Sequence, residues 1–571
     1  MSSIKRSRVL WLLILSVLLI LGACSDDDGD AKEDEDKDDV DEKVEVYSPE
    51  PNPDAAQISS YNDERLDEQL EIESDLLQEY EEGDETYTYD DPFIKLDPYD
   101  TSPLSALIMF ETDEPKQVRV TTGIDDDETA IVELWDEPET SHEIPVLGLY
   151  PGQENKVQIE VIDEDNQVEE AEIVIETDPL PDDFMNTEVV ESQPDKMENG
   201  LTYIVPTSGY LYAVDENADV RWYSSLRSRL IFTRLDDGKY LQTTRKDDED
   251  QYNELLELDM LGKIYNAYNI EIEGYDEEKD NLIHHDVIEV PSGNLLATTH
   301  ETNSDYEQDH MHEIDRETGE TTQEISLRKA MPDEAPDDYD GKNAEDGDWI
   351  HQNAIWYDES DNSILISGRS QDIIMKLSYP EGEVQWILGA DEEWPEEYEE
   401  YVLEPVGDVK FPAGQHAMKF VDNPKYDNSP EMKDMILFDN NEVFTRGDRD
   451  VSKDYSQATR YLINEEEMTV EETWSYGKDR GESFFSHIIG NVQYLYETDH
   501  LILNSGATDD PESPTGVTGR VVEVDTEEDP EVIFELEVQG KEEDSVQYTY
   551  RTWRFPLYPE TDWDFTLNEE Q

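Results

Sequence analysis

Cysteine is almost absent. The 571-residue chain carries one, Cys24, so no intrachain disulfide can form. A zinc or iron–sulfur centre built from several thiolates is excluded as well. Basic residues are scarce too. The 41 Lys and Arg stand against 148 Asp and Glu, a formal charge of −107. That balance excludes nucleic acid as a partner, because binding it needs cations at phosphates. The surface repels itself, and concentrated salt screens the repulsion. Halophilic adaptation, solubility in a saline or alkaline habitat, is the plain reading. Capture of a cationic ligand is the rival. Long apolar runs are missing: residues 9–21 fall short of the roughly 20 that a spanning helix needs.

What is present begins at the N-terminus. Lys5, Arg6 and Arg8 precede that apolar run, and Leu21-Gly22-Ala23-Cys24 closes it. This is a signal-peptide pattern ending in a lipobox. Residues 1–23 are therefore expected to be removed and Cys24 to carry the lipid, since multiple acyl chains anchor where one does not. The expected location is outside the cell membrane: lipid-anchored on its outer face, or periplasmic on the outer membrane.

Residues 24–91 are dominated by Asp and Glu and read as an acidic, disordered tether. Leu66, Leu70, Leu76, Leu77 and Tyr80 have loose helical spacing inside it. Residues 92–183 hold short β-forming segments (105–110, 117–122, 130–134, 157–161) and predict a small N-terminal β-sandwich. Pro179-Leu180-Pro181-Asp182-Asp183 reads as its exit linker. From residue 189 to the end, strands and tight turns repeat. Examples are Asp236-Asp237-Gly238, Pro291-Ser292-Gly293-Asn294 and Glu359-Ser360-Asp361-Asn362. Units start near Leu201, Leu230, His285, His351, His416 and His487. Six units of four strands predict an all-β fold, a six-bladed β-propeller, with a strand near residues 550–556 closing the ring. Tandem sheets without radial closure are the alternative.

Four units open on histidine: His285, His351, His416 and His487, at intervals of 66, 65 and 71 residues. In a propeller, such positions ring the central channel. A histidine ring can bind metal, hold an anion when protonated, or supply a nucleophile and acids. Each histidine can also simply cap a strand start. Arg369, in the apolar stretch 364–371, suits a tetrahedral oxyanion. Asn353, two residues after His351, is expected on the same strand face.

Four segments together resemble the arylsulfate sulfotransferase family. They are Asp348-Trp349-Ile350-His351-Gln352-Asn353, Ser367-Gly368-Arg369-Ser370-Gln371, Gly414-Gln415-His416-Ala417 and Tyr550-Arg551-Thr552-Trp553-Arg554. Residues 142–152 look like that family's N-terminal β-sandwich. The resemblance covers roughly residues 93–571. It implies a sulfotransferase that moves a sulfuryl group from an aryl sulfate to a phenol without PAPS, by a ping-pong route and without a cofactor or metal. It assigns His416 as the histidine that is transiently sulfated. His351, Asn353 and Arg369 are assigned to the sulfuryl group, with one of His284 and His285, preferably His285, as a further site histidine. The role of His487 stays open. Some family members carry a disulfide that this chain cannot form.

The implied mechanism has neutral His416 attacking sulfur and protonated His285 or His351 assisting the departing phenolate. Gly414 is expected to let the backbone approach the substrate closely. A non-catalytic propeller that binds a ligand at the cell surface is the rival from another class. A formylglycine sulfatase would need Cys or Ser followed by x-Pro-x-Arg, which is absent. A homodimer is left open.

Overall fold

Apolar residues in this acidic chain fall in short runs bounded by turn residues, and those runs become strands. The computed structural model describes residues 47–559, apart from 84–85, 125–128, 246–250, 272–281, 301–305, 332–346, 391–393, 427–428, 447–449 and 542–547. It also describes Trp563 and residues 565–567. The expected signal segment and Cys24 lie outside the described residues.

The acidic stretch does not stay a tether over its described part. β1 (Ser59–Tyr61) and a 19-residue helix, α1 (Asp63–Glu81), form there. The Asn62 side chain caps the helix by accepting from the Arg65 amide. Leu76 is buried in the core, and Leu66, Leu77 and Tyr80 pack against it, whereas Leu70 is exposed. A few apolar residues at helical spacing suffice because they dock on a surface already formed by the later strands.

Residues 93–176 form β2 (Phe93–Leu96), β3 (Ala106–Thr122), β4 (Ile131–Val146), β5 (Glu154–Ile162) and β6 (Val168–Glu176). By hydrogen bonding these make one five-stranded sheet rather than two. The segments expected as separate strands at 105–110 and 117–122 are two ends of β3. Register shifts between Glu111 and Val118 absorb the acidic, proline-containing stretch between them. Both ends contribute to one core with Ile108, Phe110, Val118, Val120 and Ile159.

Six sheets follow, antiparallel except where β23 joins β27 in parallel. The chain first lays down β7 (Asn186–Ser192), then β8 (Leu201–Pro206), β9 (Gly209–Val214) and β10 (Val220–Ser228). The second sheet is β11 (Phe232–Arg234), β12 (Tyr240–Thr244), β13 (Glu254–Leu258) and β14 (Ile264–Ile270), with β1 added on its edge. The third is β15 (Ile283–Glu289), β16 (Leu295–Thr299), β17 (His310–Ile314) and β18 (Thr321–Ser326). The fourth is β19 (Gln352–Asp358), β20 (Ser363–Gly368), β21 (Ile373–Ser378) and β22 (Val384–Leu388). The fifth comprises β23 (Glu404–Pro405), β24 (His416–Phe420), β25 (Met432–Asp439), β26 (Gln457–Asn464) and β27 (Thr469–Tyr476). The sixth comprises β28 (Asn491–Leu495), β29 (His500–Asp509), β30 (Val517–Asp525) and β31 (Val532–Gln539), with β7 on its edge.

The last strand, β32 (Thr549–Phe555), pairs with β8 and so completes the first sheet from the far end of the chain. β7 thus belongs to the sixth sheet although it precedes the first. Gly238, Gly293 and Asn362 take positive φ at the expected turns.

Candidate functional site

The strands β15, β19, β24, β28 and β32 lie beside one another, each the first or last strand of a different sheet. Four of them carry a register shift near the start: Ile283/Val287, Gln352/Ala354, His416/Lys419 and Thr549/Arg551. A bulge there re-aims side chains out of the strand's alternation.

This changes the histidine register. Gln352-Asn353-Ala354 corresponds to Gln415-His416-Ala417, and the residues before them, His351 and Gly414, take φ of +49° and +61°. Asn353, not His351, therefore occupies the place equivalent to His416. His351 corresponds to Gly414, so the equal intervals did not mark equal positions. His487 also departs from register, four residues before β28 begins. Gly414 is required by its own backbone: a Cβ would lie 2.8 Å from the Glu442 carbonyl. The close approach seen is to that loop.

Three histidines nevertheless converge. The His285 and His351 rings are 4.8 Å apart, and His416 feels the charge of both His351 and Arg369. Their hydrogen bonds fix their tautomers. The Asn440 amide nitrogen donates to the carbonyls of Ser486 (2.9 Å) and Ile489 (2.8 Å), so its Oδ1 must accept from His416 Nδ1 at 2.7 Å. That leaves the lone pair of His416 on Nε2. In the same way, the Thr299 carbonyl accepts from His284 Nε2 (3.1 Å), so His284 Nδ1 accepts from His285 Nδ1 (2.8 Å). His285 thus also presents a bare Nε2. His351 Nδ1 donates to the Asp348 carboxylate at 2.6 Å, which can balance a positive ring.

Burial holds His416 and His285 well below the usual histidine range. For His416 the next cause is the Arg369 guanidinium; for His285 it is His351. Both rings are therefore neutral at neutral pH, and His285 does not start as the expected acid.

Arg369 is the first residue of the turn after β20, 3% exposed, with its guanidinium 4.4 Å over the Phe444 ring. The turn is pinned by Asp372 at φ +56°, whose carboxylate accepts the amides of Gly414, Phe444, Thr445 and Arg446. Burial still pushes Asp372 up to about 7. Arg551 forms a fork with Asp286 (2.8 and 3.0 Å) and reaches the Asn353 carbonyl at 3.2 Å. This contact joins β32, β15 and β19. Tyr550 donates to the His285 carbonyl at 3.2 Å.

The structure thus brings together His285, His351, His416 and Arg369. His284 sits behind His285 and orients it. Asn353 is buried and donates to the Gln415 carbonyl at 2.8 Å, so it spaces two strands instead of offering that N–H to the pocket. His487 stands apart, its ring edge-on to Tyr548. Asn440, Arg551 and Asp372 were not singled out from sequence. Asp348, three residues before His351, was legible by spacing.

One acidic group among the described residues has metal-like spacing, Asp358, Asp361 and Glu465. It already encloses the Lys376 ammonium at 2.9, 2.7 and 2.6 Å. The histidine cluster has its Nδ1 atoms committed to hydrogen bonds and two guanidiniums nearby, which suits an anion.

Comparison with known proteins gives the chemistry. Residues 186–551 match the family model described as arylsulfotransferase (ASST), and residues 93–178 match the arylsulfotransferase Ig-like domain. The chain is 24% identical to an arylsulfate sulfotransferase AssT of Lelliottia amnigena over 533 residues, 76% of this chain and 88% of that protein. It is 22% identical to the one of Escherichia coli O6:H1 over 556 residues, 79% of this chain and 91% of that protein.

Proposed function

The chain belongs to the arylsulfotransferase family and is a sulfotransferase, and we propose that it moves a sulfuryl group from an aryl sulfate to a phenol through His416. The observation that carries this reading is the tautomer of His416. Asn440 holds its Nδ1 proton, so a neutral ring offers Nε2 as a nucleophile beside Arg369.

In the first half-reaction, His416 Nε2 attacks sulfur, an N–S bond forms, and the S–O(aryl) bond breaks. The electron pair leaves with the phenolate. Arg369 offsets charge on the equatorial oxygens. His351, backed by Asp348, is the group able to give a proton to the leaving oxygen when its ring is charged. In the second half the roles reverse: His351, left neutral by the first, takes the proton of the incoming phenol and is recharged. The phenolate oxygen attacks sulfur, and the N–S bond breaks to restore His416. No nucleotide donor takes part.

The reading includes six sheets arranged radially as propeller blades. Its support is the pairing of β32 with β8 and the side-by-side strands that carry the site. It also includes export and lipid anchoring at Cys24. Membrane fractionation of Cys24→Ser checks the latter: the variant should be soluble and active, and unchanged membrane retention would refute it. Mixing the full chain with a chromogenic aryl sulfate, with and without phenol, tests the activity. Phenol-dependent chromophore release is expected. Release at the same rate without phenol would mean hydrolysis, and retention of the ligand without turnover would mean a binding module.

A further inference from the structure

Three residues along the inner strands from Asn353, His416 and Tyr550 stand Trp356, Lys419 and Trp553. At about 3.3 Å per residue, this second tier lies roughly 10 Å from the first. The Lys419 ammonium is 6.0 Å from the Trp356 ring centroid and 5.7 Å from that of Trp553. All three side chains are half-buried and come from three different sheets. The Trp553 ring stacks on Phe555, which fixes its plane.

Other enclosed lysines of this acidic chain are met by carboxylates: Lys376 by three, Lys263 by Glu73, Lys433 by Asp358. Lys419 has no carboxylate at ion-pair distance among the described residues, and burial alone pushes its ammonium down to about 8. Beside it, Trp553 Nε1 is buried with no acceptor among the described residues. Lys419 and Trp553 thus offer two donors, from two sheets, for which the described residues supply no acceptor. A buried donor without a partner costs stability unless a ligand completes it. An oxyanion would match both the donors and the positive charge, and the two indole faces favour one attached to a flat ring.

We propose that Trp356, Lys419 and Trp553 form a second binding station, separate from His416, for an aromatic oxyanion. The inference rests on the proposed function only in that aryl sulfates and phenolates belong to this class. The ligand's charged oxygen accepts from Lys419 Nζ and Trp553 Nε1, and its ring lies against the indoles.

The test uses the full chain and benzenesulfonate, whose carbon–sulfur bond is not transferred. Lys419 acetylation by acetic anhydride at pH 8, followed by peptide mass spectrometry, should slow about tenfold with benzenesulfonate. Inorganic sulfate at the same concentration should leave it unchanged. Calorimetric titration should count one site fewer in Lys419→Met than in wild type, with Lys419→Arg retaining the count. No protection by benzenesulfonate, equal protection by inorganic sulfate, or an unchanged count in Lys419→Met would overturn the proposal. Transfer to phenol is assayed on the same samples. Its absence with protection intact would sink the sulfotransfer reading and leave the second station standing.

Discussion

Two lysines on neighbouring sheets show two ways this molecule handles a positive charge drawn out of solvent. Lys376 is fully enclosed, and Asp358, Asp361 and Glu465 all lie within 2.9 Å of its ammonium. Lys419 lies between indoles. Cations matched by carboxylates hold sheets together. Lys419, laid against two indoles, stands on one of the inner strands that carry the histidines. In a chain of −107, matching a cation is easy, so leaving one against an aromatic face is informative.

Breaking the cage should have the largest effect. Lys376→Met leaves three carboxylates facing one another and should destabilise the fold by about 3 kcal/mol, because an uncompensated buried charge remains. Urea unfolding measures it. A loss below about 1 kcal/mol would show that the cage is not structural.

Asn440→Leu comes next. It frees the His416 tautomer without touching either guanidinium, and should lower transfer about a hundredfold. Its circular dichroism should be native. Asn440→Asp, which keeps an acceptor, should retain more activity than Asn440→Leu in a parallel assay. The reverse order would deny the tautomer its role.

Lys419→Met should change stability by less than about 1 kcal/mol, because no ion pair is broken. A loss equal to that of Lys376→Met would erase the contrast between the two lysines.

The smallest expected effect is on pH. A histidine titrating at about 6.5 would be only about a quarter neutral at pH 6. Burial, with Arg369 next, holds His416 far lower, so its nucleophile should not be lost between pH 8 and 6 and the first half-reaction should not slow over that range. The same burial has an opposite consequence for the fold. Below about pH 6.5 the unfolded chain binds protons at His416, His285, His142 and His312 that the folded chain refuses. Folded His142 titrates at about 4 and His312 at about 3. These groups therefore remove stability as pH falls from about 6.5 toward those values. A stopped-flow burst series across pH checks the rate; a fourfold fall by pH 6 would contradict it.

Much of this was legible in the sequence, and the failures have physical causes. Histidines at strand starts and Arg369 pointed to an anion site, because such residues stand out in an acidic chain. Their equivalence was misread because a bulge adds a residue without a sequence mark: His351 pairs in position with Gly414, and Asn353 with His416. Asn440 was invisible because its role depends on the Ser486 and Ile489 carbonyls, more than forty residues away. Residues 63–81 showed the spacing of a short helix, but not its docking, because α1 draws its stability from the surface it packs on. β3 was divided in two because its acidic, proline-containing middle mimics a turn.

The central claim is that His416 Nε2 carries the sulfuryl group between substrates. Its most direct test is to expose the full chain to an aryl sulfate without acceptor, digest at mildly alkaline pH, and map the label by mass spectrometry. One sulfuryl group per chain on His416 is expected. It should be discharged by added phenol and absent from His416→Asn, while His285→Gln labels at the same place. Label on any other residue, or full transfer by His416→Asn, would contradict the account.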